Sequence, residues 1–142
     1  MKKYRIGYTS GVYDMFHIGH LNILKNSKNQ CDFLVVGVST DELVKEYKGK
    51  TPVIPYAERA LIVEAIKYVD KVVPQKNMDK LSAVKIDGAE VVFVGDDWKG
   101  TDKWKSIEKV LCENGVDVVY LPHTEGVSST LLTTIRENKV EE

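Results

Sequence analysis

Two histidines three residues apart, His17 and His20, flank Gly19 at the end of the stretch Y-T-S-G-V-Y-D-M-F-H-I-G-H, Tyr8 to His20. Phosphate chemistry is what this combination suits. Gly11 loosens a turn after an apolar strand (Tyr4, Ile6, Tyr8), and Leu21, Ile23 and Leu24 then follow at helical spacing. Both imidazoles therefore belong on one side of a helix's first turn. That turn offers unpaired N–H groups and the positive end of the helix dipole, an anion site before any side chain is counted. The two rings add hydrogen-bond donors, and Gly19 leaves room for a phosphate near the backbone. No nucleophile in the stretch has an adjacent base and an orienting third group, so direct transfer between two bound substrates fits better than a covalent intermediate. Two plainer readings stand beside this one. A zinc site would need about three ligands, drawn from His123, Cys31, Cys112 and scattered acids with no motif spacing. Alternatively, His17 and His20 are ordinary polar residues at a helix start.

A second stretch repeats the pattern. Y-L-P-H-T-E-G-V-S-S-T, Tyr120 to Thr130, runs from a strand through a turn at Gly126 into a helix opened by Ser128, Ser129 and Thr130. Hydroxyls and free amides at such a start make a phosphate cradle or, more plainly, cap the helix.

The elements that must position these residues alternate. Strands are expected at Lys3 to Thr9, Phe33 to Val38, Val72-Val73 (cut off by Pro74), Val91 to Val94 and Val116 to Leu121. Helices are expected from Gly19 to about Lys28, Tyr56 to Tyr68 with an apolar stripe of Ala57, Leu61, Ala65 and Tyr68, Met78 to Asp87, Lys103 to Glu113 (closed by Asn114-Gly115) and Ser129 to Glu137. Val44 to Pro55, with Lys45, Lys48, Lys50, Gly49 and two prolines, reads as a loop. This alternation predicts an α/β fold: a Rossmann-like, doubly wound parallel sheet in three layers, forming a single domain over residues 1–137 with a charged tail at 138–142. In such sheets ligands bind beyond the carboxyl ends of the strands. The clusters His17 to His20, Ser39 to Glu42, Gly95 to Trp98 and His123 to Thr130 each follow the end of an expected strand.

Composition narrows the partners. With 20 basic and 21 acidic residues among 142, the net charge of −1 gives no general attraction to nucleic acid or an anionic membrane. No run approaches the ~18 apolar residues of a membrane span, and the N-terminus lacks a signal-peptide core. Cys31 and Cys112 read as reduced thiols, and cytoplasmic residence is the expectation.

G-V-Y-D-M-F-H-I-G-H resembles the first motif of the cytidylyltransferase branch of the nucleotidyltransferase superfamily, which ends in H-x-G-H. The resemblance continues in family order at S-T-D-E (Ser39 to Glu42), Y-A-E-R (Tyr56 to Arg59), Y-V-D (Tyr68 to Asp70), G-D-D-W (Gly95 to Trp98) and T-E-G-V-S-S-T (Thr124 to Thr130). It implies transfer of CMP from CTP, with Mg²⁺, to a small phosphorylated alcohol, and a homodimer. Glycerol 3-phosphate is the first expected acceptor. Phosphoethanolamine, ribitol 5-phosphate and phosphocholine, a coenzyme adenylyltransferase and a nucleotide-binding protein without catalysis are the alternatives.

Residue by residue, the resemblance places His17, His20, Lys48, Arg59 and Ser128 in catalysis. It places Gly11, Val12, Tyr13, Asp14, Gly19, Lys50, Asp97, Trp98, His123, Thr124, Glu125, Gly126, Ser129 and Thr130 around the nucleotide. Lys48, Asp41 and Lys67 would face the acceptor, with Asp14 and Asp41 also suited to capping, and no protein ligand is assigned to the metal. The chain departs from the family at His123, where the motif has arginine, and by one extra residue in the lysine loop. A histidine is only partly charged near neutral pH, whereas arginine always is.

Overall fold

The computed structural model describes residues 3–122. Its five strands are β1 (Tyr4–Gly11), β2 (Cys31–Ser39), β3 (Lys71–Gln75), β4 (Val91–Gly95) and β5 (Asp117–Leu121). All neighbours are parallel, in the order β3-β2-β1-β4-β5. The chain winds outward from β1 in one direction to β3, then crosses back to β4. β1 and β4 therefore flank the point where the winding reverses, the place where a ligand crevice opens in such sheets. Register fixes the floor of that crevice: Thr9 lies between Val36 of β2 and Phe93 of β4, and its Oγ1 donates to the Phe93 carbonyl at 2.9 Å.

Continuous apolar runs make the central strands, because both sheet faces are covered. On one face α1 (Ile18–Lys28) and α3 (Tyr56–Glu64) supply Leu24 and Val63 to a core with Leu34, Val36, Val38 and Phe93. On the other, α4 (Lys80–Asp87) and α5 (Asp102–Glu113) supply Val84, Trp104 and Leu111 to a core with Tyr8, Val35 and Val92. This is the expected three-layer sandwich, with Trp104 as core.

Three local readings are corrected. The stretch read as a loop from Val44 is helical as far as Lys48: α2 (Asp41–Lys48) is capped by the Thr40 side chain, which accepts from Leu43 N at 3.2 Å, and ends at Gly49 in the left-handed region, φ 73°. Pro74 does not cut β3 off. It pairs in register with Val38, tolerated because β3 is an edge strand with one side unbonded. The third correction concerns α3, which ends at Glu64 and turns a different face inward: Arg59 and Val63 are buried, whereas Leu61 is 66% exposed. The closure of α5 is as expected, with Gly115 at φ 77°. The expected helix from Ser129 to Glu137 and the tail at 138–142 lie outside the described residues.

Candidate active site

The first site residues are held by a strained loop. Between β1 and α1, Tyr13 and Met15 both adopt positive φ, 55° and 47°, which side chains other than glycine avoid without compensation. The compensation is visible. Tyr13 is buried, and its ring lies edge-on to His20 with centroids 5.3 Å apart. Asp14 accepts from Val53 N and Ile54 N, each at 2.8 Å, which ties this loop to the segment leading into α3. Burial pushes the Tyr13 hydroxyl pKa up, so it stays protonated.

His17 and His20 form a reciprocal capping box. His17 is the N-cap of α1: its Nδ1 accepts from Gly19 N at 3.1 Å, and its own N–H donates to His20 Nδ1 at 3.2 Å. The rings stack with centroids 3.9 Å apart. The Gly19 amide, at the helix start expected to meet an anion, is thus engaged by a ring nitrogen. Because each Nδ1 accepts, a neutral ring carries its proton on Nε2, at the far edge, as a donor. Burial keeps both rings neutral near pH 7: it lowers the pKa of His17, and burial together with neighbouring His17 lowers that of His20 to about 4, against a smaller opposing pull from Asp14. Neutral, pre-aimed N–H donors suit oxygens that gain negative charge during reaction.

Arg59, which the resemblance places in catalysis, sits beneath this rim, where it is paired with a neighbouring acid. Its side chain is fully buried; Nε donates to Ile54 O at 2.8 Å, Nη1 to Val12 O at 2.6 Å and Ser39 O at 2.8 Å, and Nη2 pairs with Asp41 Oδ1 at 2.7 Å. One guanidinium therefore joins the loop after β1, the end of β2, the start of α2 and the approach to α3. Asp41 also accepts from Tyr56 N at 3.2 Å. Both acids expected to hold backbone turns, Asp14 and Asp41, do so.

The remaining residues divide by rim. Gly11 ends β1, and a side chain there would meet the Tyr13 ring at 3.2 Å. Asp97 and Trp98 follow β4 in a short 3₁₀ turn, Asp96–Trp98, at the same carboxyl rim, with Trp98 exposed. Lys48 and Lys50 are exposed on either side of Gly49, where α2 ends. Lys67 is not brought to this group: it lies between the C-terminal end of α3 and the start of β3, on the amino side of the sheet. Asp70 of the Y-V-D block is on that side too, accepting from Leu34 N at 2.8 Å. His123, Thr124, Glu125, Gly126, Ser128, Ser129 and Thr130 lie outside the described residues. Among the described residues no three His, Cys, Asp or Glu side chains gather where they could hold a metal ion, and no helix is long and apolar enough to cross a membrane.

Sequence reasoning missed one residue of this rim, Lys80. It opens α4, is only 7% exposed, and its Nζ donates to Ser10 Oγ at 2.5 Å, one residue before the end of β1. Nothing in the order D-K-L-S sets it apart from other lysines.

Comparison with known proteins gives the arrangement a family. Residues 8–137 match the model of the cytidylyltransferase-like family. Among curated proteins, glycerol-3-phosphate cytidylyltransferase of Bacillus subtilis is 45% identical over 123 residues, 86% of this chain and 89% of the relative. The Bacillus spizizenii and Staphylococcus aureus proteins of that name are 41% and 35% identical over 123 residues. A solved structure, the lipopolysaccharide core biosynthesis protein from Thermoplasma volcanium, superposes with a TM-score of 0.73 at 25% identity, covering 85% of this chain and 98% of the other. With the H-x-G-H turn on the carboxyl rim of a five-stranded parallel sheet, this chain belongs to the cytidylyltransferase-like family of nucleotidyltransferases.

Proposed function

We propose that this nucleotidyltransferase transfers CMP from CTP to glycerol 3-phosphate, giving CDP-glycerol and pyrophosphate. The observation that carries the reading is the stacked pair His17 and His20, neutral and held by their Nδ1 atoms so that both Nε2–H edges serve as donors at the carboxyl rim. An acceptor phosphate oxygen attacks the α-phosphorus of CTP. A new P–O bond forms as the bond to the bridging oxygen breaks, and pyrophosphate leaves on the opposite side. The acceptor phosphate is already a competent nucleophile, so a strong general base is not required. The two histidines stabilise charge that grows on the phosphate oxygens. Lys48, the last residue of α2, and Lys50, just past Gly49, supply exposed positive charge, and Asp97 and Trp98 border the nucleoside side of the crevice. From the sequence, Gly126, Ser128, Ser129 and Thr130 add the second cradle, with His123 in the place of an arginine. No protein ligand is assigned to Mg²⁺; brought in with CTP, it would supply positive charge against the leaving pyrophosphate.

The names of the curated relatives support glycerol 3-phosphate as acceptor. Exposed Leu61 and Ile62 on α3 give an apolar face suited to a homodimer. The near-zero net charge suits a cytoplasmic enzyme that engages neither nucleic acid nor membrane. Pyrophosphate release with CTP and Mg²⁺ tests the reading, run with glycerol 3-phosphate, ribitol 5-phosphate, phosphoethanolamine and phosphocholine, and with ATP replacing CTP. Turnover confined to CTP and glycerol 3-phosphate is expected. Turnover with another acceptor alone would reassign the substrate, and CTP binding without turnover in any arm would make the protein a binder.

A further inference from the structure

Tyr13 holds a backbone conformation that its residue type disfavours. Its φ of 55° lies in the left-handed region, which a bulky side chain enters only under constraint. Glycine would take that conformation without strain, so the ring at this position is kept against the local preference of the chain. The ring turns inward and joins the core of Leu24, Val36, Val38 and Phe93. Room for it is made at the end of β1, where a Cβ added to Gly11 would stand 3.2 Å from the ring. On the other side of Tyr13, the Asp14 carboxylate accepts from Val53 N and Ile54 N, each at 2.8 Å, and pins the turn to the approach of α3. The strained residue is therefore fixed from before and after.

What the ring fixes in turn is His20. The Tyr13 and His20 centroids are 5.3 Å apart with their planes at 67°. Phe16 stands 5.3 Å from the same imidazole and stacks on Tyr13 at 6.4 Å, and His17 stacks on His20 at 3.9 Å. Three rings thus surround one imidazole, whose Nδ1 is already taken by the His17 N–H. Rotation of the imidazole would break that hydrogen bond and press on Tyr13 and Phe16 together. The titratable groups that act on His20 are His17 and Asp14, with opposite sign, and burial outweighs both. A donor that serves a transition state needs this kind of confinement, because a misplacement of about 1 Å can cost on the order of 100-fold in rate.

We propose that Tyr13 is a positioning residue for CMP transfer: its ring, seated over Gly11, fixes the His20 imidazole and shields it from water, so that Nε2–H meets the phosphate oxygens of the transition state. The side chain acts through His20 and not by touching the nucleotide. This rests on the CMP-transfer reading above. Wild-type turnover with CTP and glycerol 3-phosphate tests that reading by itself, and the variants test only Tyr13.

The experiment compares wild type, Tyr13→Leu, Tyr13→Phe and Gly11→Ala in steady-state kinetics, in urea unfolding and in NMR titration of the His20 imidazole. Tyr13→Leu keeps an apolar side chain in the core and removes the ring. It is expected to lower kcat about 10- to 100-fold while the KM for CTP moves less than about threefold, the pattern of an interaction made only in the transition state. Tyr13→Phe keeps the ring and should recover most of the lost kcat. Gly11→Ala crowds the ring from its other side and should lower kcat by a smaller factor. The titration separates positioning from packing: burial is the main reason that the His20 pKa is about 4, so in Tyr13→Leu it should rise toward the ordinary 6.5, and in Tyr13→Phe it should stay low. Urea midpoints define the conditions under which each variant is fully folded, and the kinetics are read there. A wild-type kcat and His20 titration in folded Tyr13→Leu would make Tyr13 a core residue only and overturn the proposal. So would a change confined to the CTP KM, which would give the side chain to the nucleotide, or a Tyr13→Phe as slow as Tyr13→Leu. Should Tyr13→Leu fail to fold, Gly11→Ala decides, and a wild-type kcat there sinks the idea.

Discussion

Two buried cations stand near the carboxyl ends of the strands, Arg59 beneath the rim and Lys80 in it, and they are treated in opposite ways. Arg59 has a carboxylate and three backbone carbonyls within 2.8 Å, all fixed by the chain itself. Lys80 has one serine hydroxyl. A buried charge whose hydrogen bonds are satisfied belongs to the architecture, because its energy is the same whether or not a substrate is present. A buried charge left short stores an unfavourable term that deprotonation or a bound anion relieves. The two cations are thus told apart by their partners and not by residue type: Arg59 is answered within the chain by Asp41 and three carbonyls, Lys80 by a single hydroxyl.

The comparison breaks most directly at Arg59. Arg59→Met would leave the Val12, Ser39 and Ile54 carbonyls without this donor and Asp41 without its ion-pair partner. The expected loss is about 3 to 5 kcal/mol of folding stability, read as a lowered urea midpoint. Activity should fall with the fraction folded. A midpoint within error of wild type, with kcat sharply reduced, would place Arg59 in contact with substrate after all and dissolve the distinction.

His20 lies between the two cases, polar and largely buried but neutral. His20→Ala should lower kcat by about 10²- to 10³-fold if its Nε2–H faces the transition state. The pH dependence gives an independent check. The folded-state pKa is about 4, below the ordinary 6.5. Between those values the unfolded chain binds more protons, so stability is fully present above about pH 6.5 and declines as acid is added through pH 4. Urea midpoints of wild type and His20→Ala should therefore converge as the pH falls across that window. Midpoints that stay a constant interval apart would mean that His20 is an ordinary surface imidazole.

How much of this could be read in advance follows from how local each signal is. The spacing of His17 and His20 set them on one helix turn, and their stacking agrees, because the capping box uses residues three apart. The parallel sheet and the shared rim followed from the alternation of elements. The start and end signals of α2, Thr40 and Gly49, were present in the sequence, as were its apolar positions Leu43, Val44 and Tyr47, but the lysines, Gly49 and two prolines between Val44 and Pro55 were given more weight. The face of α3 was read from Ala57, Leu61 and Ala65, whereas the fold buries Arg59 because its partners come from positions 12, 39, 41 and 54. Lys80 was illegible for the same reason in stronger form: Ser10 is 70 residues away in sequence, and no local pattern encodes that meeting.

The smallest expected effect sharpens the contrast between the two cations through pH. Arginine does not titrate in an accessible range, so Arg59 contributes nothing to the pH dependence of stability. Lys80 does, since its folded-state pKa is about 8 against an ordinary 10.5. In that window the folded protein has shed a proton that the unfolded chain still holds, so stability should rise with pH by this group's contribution. Other groups titrate there as well, and the quantity to measure is the difference between wild type and Lys80→Met. Below pH 8 the lysine carries its full desolvation cost and Lys80→Met should be the more stable protein, by on the order of 1 kcal/mol after allowance for solvent relaxation. As the pH climbs toward 10 the gap should close from the wild-type side. A gap that stays constant from pH 7 to pH 10 would mean that the Lys80 ammonium carries no desolvation cost in the fold.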